Sequence, residues 1–212
     1  KRLTGALPEA GLHVGIVGLG AGTIAAHGSA GDQFRFYEID REVVTLTKEY
    51  FYFLRESAAE VQVVVGDARI TLARELEDEG SQQFDILVID AFSGDAPPTH
   101  LLTREAFDLY WKHLAPNGIL AINITNQHLD LSPVVRTPAE ERGKQAVFIY
   151  NSPRQRDRID QAQWALVTDN QEFLTSKIML EHITPWPEDA IPHVAWRDDY
   201  SNLLNLIKHP WK

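Results

Sequence analysis

Short apolar runs recur along the chain, and most are closed by a glycine or a carboxylate. His13 to Val17 runs into Gly18, Gly20 and Gly22, Phe34 leads to Glu38, Val61 to Val65 stops at Gly66-Asp67, Phe84 leads to Asp90, and Ile119 to Ile124 follows Pro116-Asn117-Gly118. Each run is short and predicts a strand, and Val61 to Val65 is of the largely apolar type expected when both faces of a strand are covered. The segments between them have a different period. Asp40 stands as an N-cap before Val43, Val44, Leu46 and Thr47, while Ile70, Leu72, Ala73 and Leu76 form a stripe, and Leu102 to Leu114 continues at helical spacing. Ala21 to His27 reads as a short helix closed by Gly28 and Gly31, and Ala91 to Thr99, with two prolines and no period, as a loop. Strand and helix in alternation predict a doubly wound α/β fold with a mostly parallel sheet.

The rhythm changes towards the end. Ala146 to Tyr150 and Trp164 to Thr168 predict two antiparallel strands joined by a long exposed loop, Asn151 to Gln163, which carries Arg154, Arg156 and Arg158. A parallel sheet finished by an antiparallel C-terminal strand is the class I AdoMet-methyltransferase-like Rossmann fold. Between Leu131 and Lys144 a crossover helix is expected, and Pro138 should split or kink it.

Composition narrows the class. The 212 residues fit one domain, residues 1–212, and the absence of Met at the start is read as a trimmed chain lacking an N-terminal segment. A net charge of −10 argues against nucleic acid as a partner and suits a cationic substrate. No apolar run is long enough to span a bilayer, so no membrane contact is expected. With no cysteine there is no disulfide framework, which fits a reducing, cytoplasmic setting.

The chemistry lies at the strand ends. An apolar strand that breaks into close glycines brings bare backbone up to a ligand, and an acid at the tip of the next strand can hold two ribose hydroxyls. Gly18, Gly20 and Gly22 form G-x-G-x-G, Thr23 replaces the last small residue of the dinucleotide fingerprint, and Glu38 stands twenty residues after Gly18. This pattern points to S-adenosylmethionine or a relative such as decarboxylated S-adenosylmethionine. Asp67 is expected to accept from the adenine amino group and the backbone of Ala68 to meet a ring nitrogen, although Asp67 would also cap the following helix. Asp90, helped by Asp95, is expected to hold an amine and take its proton beside the sulfonium. His100 and Thr103 are expected to frame the end of the loop that follows Asp90, and Phe92 to wall the pocket. Trp186, Trp196, Trp211 and Tyr200 fit core or interface packing better than a cation cage. No His or Cys cluster has metal-ligand spacing, and no metal is expected.

Gly18 to Thr23, Tyr37 to Asp40, Gly66-Asp67-Ala68 and the run from Ile89 to Leu102 resemble the polyamine aminopropyltransferases, the spermidine synthase group, and most of all its divergent bacterial spermidine-synthase-like domains. The likeness covers about Leu12 to Asn126, and Trp196 to Leu204 shares it. It implies ribose binding by Glu38, adenine contact by Asp67, amine binding and deprotonation by Asp90, a small-molecule amine or polyamine acceptor, and a homodimer. Three departures qualify it. The family's glycine-loop acid is Ala21 here, its second loop acid is Ser93, and its N-terminal β-structured segment is missing. An AdoMet-dependent methyltransferase and a non-catalytic nucleoside-binding module therefore stand as alternatives.

Overall fold

The computed structural model describes residues 11–91, 97–154, 156, 160–187 and 193–208. Five parallel strands come first: β1 (His13–Val17), β2 (Gln33–Glu38), β3 (Glu60–Val65), β4 (Phe84–Ile89) and β5 (Leu114–Asn123). β6 (Gln145–Asn151), β7 (Ala162–Thr168) and the short β8 (Ile183–Thr184) complete a sheet of order β3-β2-β1-β4-β5-β7-β6-β8. β7 inserts antiparallel between β5 and β6, so the expected hairpin is present and its second strand is the inner one.

Register explains why neighbouring residues of the inner strands are both apolar. The row Phe36, Ile16, Val88 and Ala121 belongs to one buried cluster, and the next row, Tyr37, Val17, Ile89 and Ile122, belongs to the other. Successive residues of a strand point to opposite faces, and in β1, β2, β4 and β5 both faces are covered, whereas β3, expected to be covered on both, lies at the sheet edge with no fully buried residue. Helices α1 (Arg41–Tyr50), α2 (Ala68–Asp78), α3 (Arg104–His113) and α4 (Ser132–Glu141) supply most of the cover. α2, α3 and α4 contribute Leu72, Phe107, Tyr110, Val134 and Val135 to one cluster, and α1 contributes Val44 to the other. Two short helices, α5 (Gln171–Leu174) and α6 (Lys177–His182), close a third cluster around Ile119.

Three local expectations are corrected. The first helix is a single 3₁₀ segment, Thr23–His27, held between Gly22 at φ 77° and an extended Gly28. Pro116-Asn117-Gly118 turns within β5 rather than before it: Asn117 has φ 64°, and the pairing slips from Phe84↔Leu114 to Ile86↔Ile119. α4 runs through Pro138 unbroken. An internal proline costs about 3 kcal/mol, but Pro133, Val134, Val135, Pro138 and Ala139 are all buried, and each buried aliphatic side chain returns roughly 1.5–3 kcal/mol. Arg142 also donates to the carbonyl of Pro138 at 3.0 Å, and Gly143, at φ 66°, ends the helix. Tertiary burial outweighs the local breaker.

Candidate functional site

The carboxyl ends of β1 to β4 are drawn level by hydrogen bonds one step beyond the strands. The amide of Gly18 donates to the Tyr37 carbonyl (2.9 Å), that of Asp90 to Val17 (2.9 Å) and that of Gly66 to Glu38 (2.8 Å). A cleft of about 450 Å³ opens there, within the range of small-molecule sites. Gly18, Gly20, Glu38, Asp67, Ala68 and Asp90 all line it, so six of the eight residues expected from the sequence converge. Gly22 lies off this wall, and a Cβ on it would meet Leu54 at 2.8 Å. Asp95 lies outside the described residues, as do Phe92, Ser93, Arg158 and Trp211.

Glu38 is buried and already structural. Its Oε2 accepts the amide of Leu19 at 2.9 Å and its Oε1 that of Asp40 at 2.9 Å, fixing the glycine loop to the tip of β2. A carboxylate has about four acceptor sites, so this leaves capacity for two hydroxyls. Thr47, buried on α1, donates to the Gly20 carbonyl at 2.6 Å and holds the loop from the other side. Asp67 does cap α2: Oδ1 accepts from Ile70 at 3.0 Å. Its Oδ2 faces the cleft rim, 3.3 Å from Nε2 of His100. The amide of Ala68 begins α2, where a helix has no internal acceptor to offer its donors. Asp90 accepts at Oδ1 from Nδ2 of Asn123, 2.8 Å away.

Apolar walls escaped the sequence reading. Leu19, Ile39, Val43, Pro98 and Leu101 line the cleft between the carboxylates, and Ile39 is 68% exposed. The signal was present: an isoleucine between a strand-end acid and an N-cap has no core to enter. A second group could not be assembled from the sequence because its members are far apart in it. Arg69, beside Ala68, forms a two-pronged ion pair with Asp198 and donates to the His100 carbonyl at 3.0 Å, and Thr103 donates to Asp198 at 2.7 Å. The Arg69 guanidinium holds the Asp198 carboxyl below its ordinary pKa. Trp196 is buried, and Trp186 stacks on Phe148 with the guanidinium of Arg136 over its ring, so neither forms an open cage.

A second cavity, about 380 Å³, lies at the other end of the sheet beside Trp111, Lys144 and Asp169. Lys144 is already paired with Asp169 there. Among the described residues no helix is long and apolar enough to cross a membrane.

Comparison with known proteins agrees with this geometry. A polyamine aminopropyltransferase of Vibrio vulnificus is 32% identical over 111 residues, covering 51% of this chain and 36% of that protein. The chain thus matches about a third of that relative's length. A probable spermidine synthase of Corynebacterium glutamicum superposes with a TM-score of 0.57 at 23% identity, covering 78% of this chain and 59% of the other. Human methyltransferase-like protein 13, in complex with SAH, superposes with a TM-score of 0.61 at 18% identity, covering 90% and 91%. At these identities the structural likeness shows the fold. The model of the spermine/spermidine synthase domain matches residues 15–153, and the chain belongs to that family.

Proposed function

We propose that this domain is an aminopropyltransferase that moves the aminopropyl group of decarboxylated S-adenosylmethionine to a polyamine or other small amine in the cytoplasm. The observation that carries the reading is the convergence of Glu38, Asp67 and Asp90 on one cleft at the strand tips. Glu38 would take the ribose hydroxyls, Asp67 and the Ala68 amide the adenine edge, and Ile39, Val43 and Leu101 its faces. Asp90, helped by Asp95, would hold the amine in line with the carbon next to the sulfonium. As the new C–N bond forms, the C–S pair returns to sulfur, neutral methylthioadenosine leaves, and Asp90 takes the proton lost from nitrogen. The electrophile is activated by its own positive sulfur, so the protein's work is aim and proton transfer, and the step calls for no metal.

Ala21 leaves the glycine loop without the acid that would repel a carboxylated co-substrate, so the decisive measurement compares the two nucleosides. Calorimetric titration with decarboxylated S-adenosylmethionine, S-adenosylmethionine and methylthioadenosine is expected to favour the decarboxylated form by about tenfold, 1.4 kcal/mol. Equal or reversed preference assigns methyl transfer instead. Asp90→Asn should cut turnover by a factor of about 10² to 10⁴ with nucleoside affinity retained; a wild-type chain with binding and no turnover assigns a nucleoside-binding module.

A further inference from the structure

We infer that Asn123 is a positioning residue that fixes which oxygen of Asp90 meets the amine, an inference that rests on the function proposed above. Asp90 and Asn123 follow the last registered pair of β4 and β5, Ile89↔Ile122, so the two side chains leave neighbouring strand tips together. The Asn123 amide is oriented from both ends. Its Oδ1 accepts the backbone N–H of Thr125 at 2.9 Å, which turns its Nδ2 towards Asp90 Oδ1, 2.8 Å away. Asx turns of this kind hold a side-chain amide in one orientation against its own backbone.

The consequence falls on Asp90. Its backbone N–H is tied to the Val17 carbonyl at 2.9 Å and its Oδ1 is taken by Asn123, while among the described residues Oδ2 accepts no hydrogen bond. Asn123 therefore stops the carboxylate from rotating and leaves Oδ2 as the oxygen presented to the acceptor. In-line displacement is sensitive to this, because a small misplacement of the group that holds the nucleophile costs rate without costing nucleoside binding.

The experiment compares wild type, Asn123→Ala and Asn123→Asp, with decarboxylated S-adenosylmethionine and 1,4-diaminobutane as substrates. Asn123→Ala should lower kcat by about tenfold or more and leave KM for the nucleoside within about twofold. Asn123→Asp keeps the volume and the contact with Thr125 and replaces the donor by a second carboxylate oxygen. It should also lose kcat, and the acid limb of its pH–rate profile should move to higher pH, since a like charge beside Asp90 favours retention of a proton. The other ionisable groups lining the cleft, Tyr37, Glu38, Asp40, Asp67 and His100, are the same in all three proteins. Melting curves and methylthioadenosine titrations identify any loss of fold. An active wild type whose Asn123→Asp variant matches it in kcat and pH profile overturns this inference alone, whereas a wild type with no transfer activity overturns it together with the proposed function.

Discussion

Gly18 and Gly20 are two residues apart, both at positive φ, and they are glycine for different reasons. A Cβ on Gly18, at φ 97°, would stand 2.2 Å from the Asp90 carbonyl, a backbone atom that cannot give way. A Cβ on Gly20, at φ 50°, would meet nothing within 4 Å and would stand in open space on the wall of the cleft. Gly18→Ala should therefore lose about 2–5 kcal/mol of stability, from left-handed strain together with overpacking. Gly20→Ala should lose only the strain, about 1–2 kcal/mol, while its binding of methylthioadenosine weakens more than its melting temperature falls. Thermal melts paired with calorimetry separate the two, and equal loss of affinity and stability in both variants would refute the distinction. The residues that line this cleft were legible because each is tied to a strand end: an acid or a glycine there is informative wherever the strand goes. Asn123 was not, since its contact with Asp90 is set by the neighbour that β4 supplies, and that pairing is nowhere written locally.

At the scale of elements, the packing of α2 on α3 turns on a buried histidine. His113 ends α3 with no exposed surface; its Nε2 lies 2.9 Å from the Leu72 carbonyl of α2, and its Nδ1 accepts the amide of Gln82 at 3.1 Å. That pattern is a neutral imidazole, with Nε2 as donor, and burial pushes its pKa below the ordinary value. In the window below about pH 6.5 the unfolded chain binds the proton that the folded chain refuses, so stability is complete above that pH and falls as pH is lowered. His13, also shifted down by burial, adds to the same slope. Urea unfolding at pH 7.5, 6.0 and 5.0 should show a steady decline in unfolding free energy, and His113→Ala should flatten the slope while costing about 1–3 kcal/mol at pH 7.5, because Gln82 and Leu72 lose their partner. A slope unchanged in that variant would assign the acid sensitivity elsewhere. Apolar period located α2 and α3 within a residue or two. It missed the passage through Pro138 because local rules count the lost hydrogen bond and not the buried face, and it took the 3₁₀ turn for a helix because a few residues between glycines hold no full period.

Across the whole molecule, the segment from residue 193 to 208 joins the core to the rim of the cleft. Trp196 and Leu206 are buried in the same cluster as Val17, Tyr37 and Ile89, and the Trp196 carbonyl accepts the amide of Arg104 at the start of α3. Two residues on, Asp198 leaves the core and grips Arg69 and Thr103 at the rim of the cleft. Core and rim functions should therefore separate by mutation. Trp196→Ala should cost about 3–5 kcal/mol, a large share of the roughly 5–15 kcal/mol that keeps a domain folded. Trp196→Phe should cost far less, because the buried indole N–H has no partner among the described residues and its removal breaks no hydrogen bond. Asp198→Ala removes a pair whose carboxylate is about half exposed, so its melting temperature should barely move. Its loss should appear instead in nucleoside affinity, weaker by roughly three- to tenfold, about 0.7–1.4 kcal/mol, since Arg69 would no longer be held against the carbonyl of His100 beside Asp67. If Asp198→Ala unfolds the chain or leaves methylthioadenosine binding untouched, the rim does not depend on this strap. Its sequence resembled the family's, but the contact it makes, 129 residues from Arg69, is a property of the folded chain alone.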